Sequence, residues 1–313
     1  MIRKQLLMGA LLLSLTACEH PVIPDMVSVQ VQLSGFTVTQ EPITPTPLAQ
    51  SRAPLANTRA PLAQTRAPQS NTRATDIATE TAIKILDLAF FDTDGTLVKQ
   101  LTQDRNDPTS FTTFGTFTCE LPPGNYRLVA VGRGSGNGDV FTIDSPTEAG
   151  YTSERARETL VATRQLDIPD YNPVTIDLTL QRVVAKLQIV SLDNRTPDFA
   201  KVRTTYAAGG KRFNPTTGLT LTNEGFSVTN TPSLVYNTPI DVASYVFLAA
   251  DEQNMDVTIE TLDNNNQLLA KRILKAVPMR RNRCTKLTGN LFSNLSSFTL
   301  KVEDWLPEHL VNF

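Results

Sequence analysis

From Met26 to Thr39 the chain alternates: Val27, Val29, Val31 and Leu33 fall on one face, Ser28, Gln30 and Gln32 on the other. Successive side chains of an extended strand face opposite sides, so this period of two predicts a strand with one buried face. Gly35 then allows a kink before Phe36 and Val38. The same pattern resumes after Thr75. Residues 83–91 (IKILDLAFF) read as a buried strand, Asp94-Gly95 as its turn and residues 96–98 as the return. Residues 111–121 alternate, 122–125 (PPGN) form a tight turn, 126–131 are a strand and 132–138 a glycine-rich loop. Residues 139–143 are again strand-like, and 148–160 predict the one short helix. Strands follow at 174–180 and 181–190, then at 201–206, 219–221, 244–249, 255–262, 268–274 and 298–302, separated by turn residues. Many short strands with regular turns predict an all-β protein built from antiparallel sandwiches. Its 313 residues, 40% hydrophobic, suffice for two medium cores. We place the division near Leu180: a first sandwich over 75–180, completed by the strand at 26–39, and a second over 181–313.

Residues 44–74 break this pattern. They repeat every seven residues, with arginine at Arg52, Arg59, Arg66 and Arg73, each followed by alanine. Pro54, Pro61 and Pro68 forbid a helix, and the repeat lacks the apolar seam of a coiled coil. A polar, proline-rich tract of this kind is expected to stay solvated and extended, as a leash. It offers an arginine-specific protease four accessible sites. Because the leash lies between the strand at 26–39 and the globular body, cutting it would free that strand. The alternative is a spacer that lifts the body off a membrane.

The N-terminus adds a membrane. Residues 1–17 carry Arg3 and Lys4, then the apolar run 6–15, and end in Leu-Thr-Ala before Cys18. This is a signal peptide rather than a span, which needs ~20 apolar residues. The small residues before Cys18 form a lipobox, so Cys18 is the expected lipidation site and residues 18–43 the lipid-bearing strand segment. From Cys18 onward 27 basic side chains (29 less Arg3 and Lys4) meet 31 acidic ones. That balance gives no basic face for nucleic acid. Cys119 and Cys284 each sit in a strand-like stretch and are expected to be buried thiols.

Three motifs suggest chemistry. Residues 89–98 (AFFDTDGTLV) match the nucleophile motif of haloacid-dehalogenase-type phosphatases, in which Asp92 would be the nucleophile and Asp94 the general acid beside magnesium. That chemistry needs a parallel strand followed by a helix, and residues 99–110 are not amphipathic; a hairpin closed by Asp-Gly explains the motif better. Residues 129–138 (VAVGRGSGNG) resemble a dinucleotide loop but lead into a strand instead of the helix that would meet the phosphates. The basic run Arg280-Arg281-Asn282-Arg283 reads as a solvated turn. His20 and His309 lie near opposite ends, and no cofactor or metal is expected.

Taken in order, the lipobox at Cys18, the strand at 26–33, the leash ending at Arg73, IKILDLAFFDTDGTLV, LPPGNYRLVAVG, LQRVVAKLQIV, VPMRRNRCTKLTG and VEDWLPEHLVNF resemble the fimbrillins of Bacteroidetes, subunits and accessory lipoproteins of type V pili. The resemblance implies two tandem transthyretin-like Greek-key β-sandwich domains and a non-enzymatic role at the outer membrane and then in a surface fimbrium. It implies a precursor anchored by lipid on Cys18, whose first strand fills its own groove. An arginine-specific protease removes that strand, and a strand of another pilus subunit replaces it head to tail. Here Val27, Val29, Val31 and Leu33 would be the side chains displaced. The alternative within the same resemblance is an uncleaved anchor or surface adhesin for a host or glycan ligand.

Overall fold

The computed structural model describes residues 26–35, 37–38, 73–74, 77–170, 172–232, 238–293 and 298–304. Along the chain the strands are β1 (Val27–Ser34), β2 (Thr37–Val38), β3 (Arg73–Ala74), β4 (Ile85–Phe91), β5 (Leu97–Asp104), β6 (Thr116–Leu121), β7 (Gly124–Arg133), β8 (Phe141–Ser145), β9 (Glu148–Tyr151), β10 (Thr159–Ile168), β11 (Val174–Thr179) and β12 (Gln181–Arg182). They continue as β13 (Val184–Ser191), β14 (Lys201–Tyr206), β15 (Arg212–Phe213), β16 (Phe226–Asn230), β17 (Asp241–Phe247), β18 (Glu252–Leu262), β19 (Leu268–Arg280), β20 (Arg283–Gly289) and β21 (Phe298–Asp304). The described helical turns are two short 3-10 turns, Ile77–Thr79 and Pro108–Ser110.

A sheet ordered β11-β1-β6 and one ordered β12-β10-β7-β4-β5 share one core, which includes Val29, Val31, Leu88, Phe90, Leu128 and Leu178. Sheets β17-β13-β20-β21 and β16-β14-β18-β19 enclose a second core around Leu187, Val202, Val257 and Leu287. The architecture is the expected all-β sandwich fold. Most pairings are antiparallel, but each sandwich has one parallel pair, β1 with β11 and β13 with β20, which local pattern did not indicate.

A third core explains why β4 reads as unbroken hydrophobic sequence. Leu86, Leu88 and Phe90 face the first core, while Ala89 and Phe91 face the other side. On β7, Leu128 and Ala130 divide from Val129 and Val131 in the same way. A sheet buried on both faces has no polar alternation to show. Its second face packs on Tyr151, Val183, Val184 and the stacked rings of Phe213 and Phe247, 4.4 Å apart. The small sheet β15-β9-β8 draws strands from both halves of the chain. At its centre Gly150 has φ 149°, and a Cβ there would lie 2.5 Å from Arg212 Cα.

The helix expected over 148–160 does not form. Residues 148–151 and 159–168 are strands, and the segment between them is used for tertiary contacts. Arg155 donates to Asn230 Oδ1 and to the carbonyl of Thr229, and Arg157 pairs with Asp139 at 2.6 Å. Glu158 accepts from Arg182 Nε at 2.8 Å, and Ala156 bridges Tyr245. Together these contacts override a modest helix propensity. The stretch at 219–221 contributes only a single bridge, Thr220 to Phe213, while β16 carried no clear pattern.

Gly150→Ala should lower unfolding free energy by about 1–3 kcal/mol through overpacking, read as a lower urea midpoint. Asp193 is desolvated by burial, but its bonds from the backbone N–H groups of Ser293, Leu291 and Phe292, at 2.8, 2.8 and 2.9 Å, hold its carboxyl below the usual range. A carboxylate depressed in the folded state stabilises above its unfolded pKa, and the gain disappears as pH falls through the folded value. Asp193→Asn should therefore flatten the acid limb of stability against pH without changing the limb above neutrality.

Candidate functional site

β1 is the middle strand of its sheet. It runs parallel to β11, from Val29↔Val174 to Ser34↔Thr179, and antiparallel to β6, from Val27↔Leu121 to Gln32↔Thr116. Both of its edges are therefore engaged. Val27, Val29, Val31 and Leu33 are 4%, 0%, 0% and 5% exposed and enter the first core. Ser28, Gln32 and Ser34 are exposed, as the period of two requires. The far end is pinned: Leu33 N donates to Gly115 O at 2.8 Å and Ser34 Oγ to Leu178 O at 3.2 Å. Gly115 has φ 97°, and a Cβ there would meet Ile77 Cγ2 at 2.7 Å and Leu33 O at 3.2 Å. The site thus brings together the four apolar residues read from the sequence and adds Gly115 and Ile77, which carried no pattern of their own.

Without β1 the sheet would be a slot. Adjacent strands lie about 4.8 Å apart, so β6 and β11 would face each other at about twice that spacing. Two rows of backbone donors and acceptors and four apolar hollows would then lie open. Such a slot fits an extended peptide with alternating apolar side chains.

The leash leaves and returns at one place. Thr37 pairs with Ala74 and Val38 with Arg73, so β2 and β3 close a loop whose covalent span is 39–72. The segments that flank the leash are therefore paired with each other. Arg73 lies in β3, while Cys18, Arg52, Arg59, Arg66, His20 and His309 lie outside the described residues.

The catalytic motif is a hairpin turn. β4 and β5 are antiparallel across it, and Gly95 has φ 82°. Asp92 Oδ1 accepts from Asp94 N at 3.0 Å and Thr96 N at 2.8 Å, so its carboxylate organises the turn. A hollow of about 440 Å³ beside it is lined by Asp94, Asn125, Tyr126, Arg127, Gln165 and Leu166 among others. No group of three metal-ligating side chains occurs among the described residues. The glycine-rich loop joins β7 to β8 with no helix after it. The basic run is the turn between β19 and β20, with Arg280 on Glu252 (3.3 Å), Arg281 on Asp251 (2.6 Å) and Arg283 on Asp304. Cys119 and Cys284 are unbridged and buried in separate sandwiches, and burial pushes both thiols up.

Leu33→Ala should cost about 2–5 kcal/mol as a large-to-small change in a core, whereas Gln32→Ala on the exposed face should stay within ~0.5 kcal/mol. Urea unfolding followed by a probe in the first sandwich distinguishes them. Equal effects would mean that β1 is not buried as described.

Comparison with known proteins bears on the fold. A candidate adhesin from Bacteroides ovatus aligns over 90% of this chain and 95% of its own, at TM-score 0.50 and 9% identity. A candidate polysaccharide-binding protein (DUF1812) from Bacteroides thetaiotaomicron aligns over 90% and 99%, also at 0.50 and 9%. The fimbrial anchor protein Mfa2 from Porphyromonas gingivalis aligns over 90% and 99% at 0.44 and 9%. The first two likenesses extend the all-β sandwich fold across most of both chains. No curated protein matches the chain. The model of a family of unknown function, DUF6562, matches residues 53–309, and the chain belongs to that family.

Proposed function

We propose that this chain is a cell-surface fimbrial subunit, exported as a lipoprotein through Cys18 and assembled by strand exchange after an arginine-specific cut in its leash. The observation that carries the reading is the placement of β1. It is the middle strand of a sheet, supplies four side chains to a core, and joins the body through a loop that contains or ends on Arg52, Arg59, Arg66 and Arg73. A strand so placed is worth excising only if another takes its position. Removing four buried apolar side chains costs about 1.5–3 kcal/mol each, and two open ladders invite pairing. A second subunit satisfies both by adding a strand, and head-to-tail use of different surfaces gives an open polymer. The fold shared with a candidate adhesin and a candidate polysaccharide-binding protein of Bacteroides agrees with a place at the cell surface.

The closed loop favours cutting over spacing, since the segments flanking the leash, β2 and β3, pair with each other. Surface protein should start at Ala53, Ala60, Ala67 or Ala74 on N-terminal sequencing. Changing all four arginines to alanine should leave a lipidated start at Cys18 and abolish the ladder of polymers on a mild denaturing gel. An unchanged ladder in that variant would overturn processing as the trigger.

A further inference from the structure

The two ends of the leash are held by separate devices, and the downstream one centres on Arg105. Residues 77–83 wrap its side chain. Nε donates to Ile83 O at 2.7 Å, and Nη2 donates to Ile77 O at 2.8 Å, Ala78 O at 3.1 Å and Glu80 O at 3.2 Å. The backbone N of Arg105 donates to Lys84 O at 2.9 Å. On the other side the guanidinium carbon lies 3.9 Å from the centroid of the Phe114 ring. Thus four carbonyls of one seven-residue segment converge on a single cation stacked on an aromatic face. A guanidinium keeps its charge at any ordinary pH and holds its donors in a rigid plane, and charged donors make the stronger hydrogen bonds. The ring adds a cation–π contribution. Ile77, 1% exposed, plugs the same segment into the core against Gly115.

These carbonyls, the cation and the ring all lie outside β1 and the leash. Likewise, the ladders that hold β1 are made with β6 and β11, downstream of every leash arginine. A cut at Arg73 or before it removes none of the contacts at either end beyond the two-residue pairing of β2 with β3. We infer that the cut protein persists as a two-piece complex. In it β1 stays seated as a separate peptide, Arg105 holds the new start of the body, and the incoming strand, not the protease, ejects β1. This rests on the processing reading above. With lipid on Cys18, a cut subunit would remain at the membrane until exchange.

The full chain, purified in detergent and nicked by limited digestion with an arginine-specific protease, tests this. On native gel filtration the fragment bearing β1 should co-elute with the body, and an excess of synthetic peptide 26–39 should displace it. A fragment that elutes apart without competitor overturns the inference. In the nicked protein Arg105→Ala should raise amide exchange across 77–83 by about tenfold or more, the loss of at least one charged hydrogen bond, with β4 and β7 amides unchanged. Arg105→Lys should restore part of that protection. Exchange across 77–83 no faster in nicked Arg105→Ala than in nicked wild type overturns the role of Arg105. Failure of the processing reading would appear elsewhere, as an uncut N-terminus on cells, and is thereby distinguishable.

Discussion

A strand paired on both edges cannot leave a sheet without breaking two ladders and opening the core beneath it. β1 is such a strand, and the organisation of the first sandwich depends on it. β6 and β11 belong to one sheet only because β1 lies between them. Ile77, Gly115 and Leu33 meet where β1 ends, so the entry of the body and the exit of the strand share one small area of core. The loop between them closes there through β2 and β3.

The two halves of the body share a packed core. The sheet containing β4 and β7 is buried on both faces, one by the first sandwich and one by a core that includes Val184, Phe213 and Phe247 from the second half. Arg182 is buried in this region, donating to Glu158 and to Asn282 Oδ1 at 2.9 Å, while Asn282 N donates to Val184 O. Buried charges persist only when paired and hydrogen-bonded, and here the pairing ties β12, the approach to β10 and the β19–β20 turn together.

The residues that looked catalytic show how context decides chemistry. Asp92 and Asp94 have the spacing of a phosphatase nucleophile and its partner. In an antiparallel hairpin, however, the first carboxylate is occupied by the N–H groups of its own turn. The same atoms before a helix in a parallel sheet would face a different environment. Arginine shows the converse. Arg105 stood in no motif, yet it meets four carbonyls, because a planar cation at the end of β5 can gather a segment that pattern alone leaves as coil.

Local pattern was enough for what depends on neighbours in sequence. The alternation of Val27, Val29, Val31 and Leu33 declared a half-buried strand and Asp94-Gly95 declared a turn, since each rests on side-chain direction or backbone geometry within a few residues. The central place of β1 was not legible, because its partner Thr179 lies 145 residues from Ser34. Nor was the loss of the expected helix at 148–160, whose Arg155, Arg157 and Glu158 answer to Asn230, Asp139 and Arg182. Long-range pairing decides which strand is the middle one, where a loop closes and which cation finds its acceptors. No local period records those choices, because the free energy that makes them lies in contacts the chain forms only when folded.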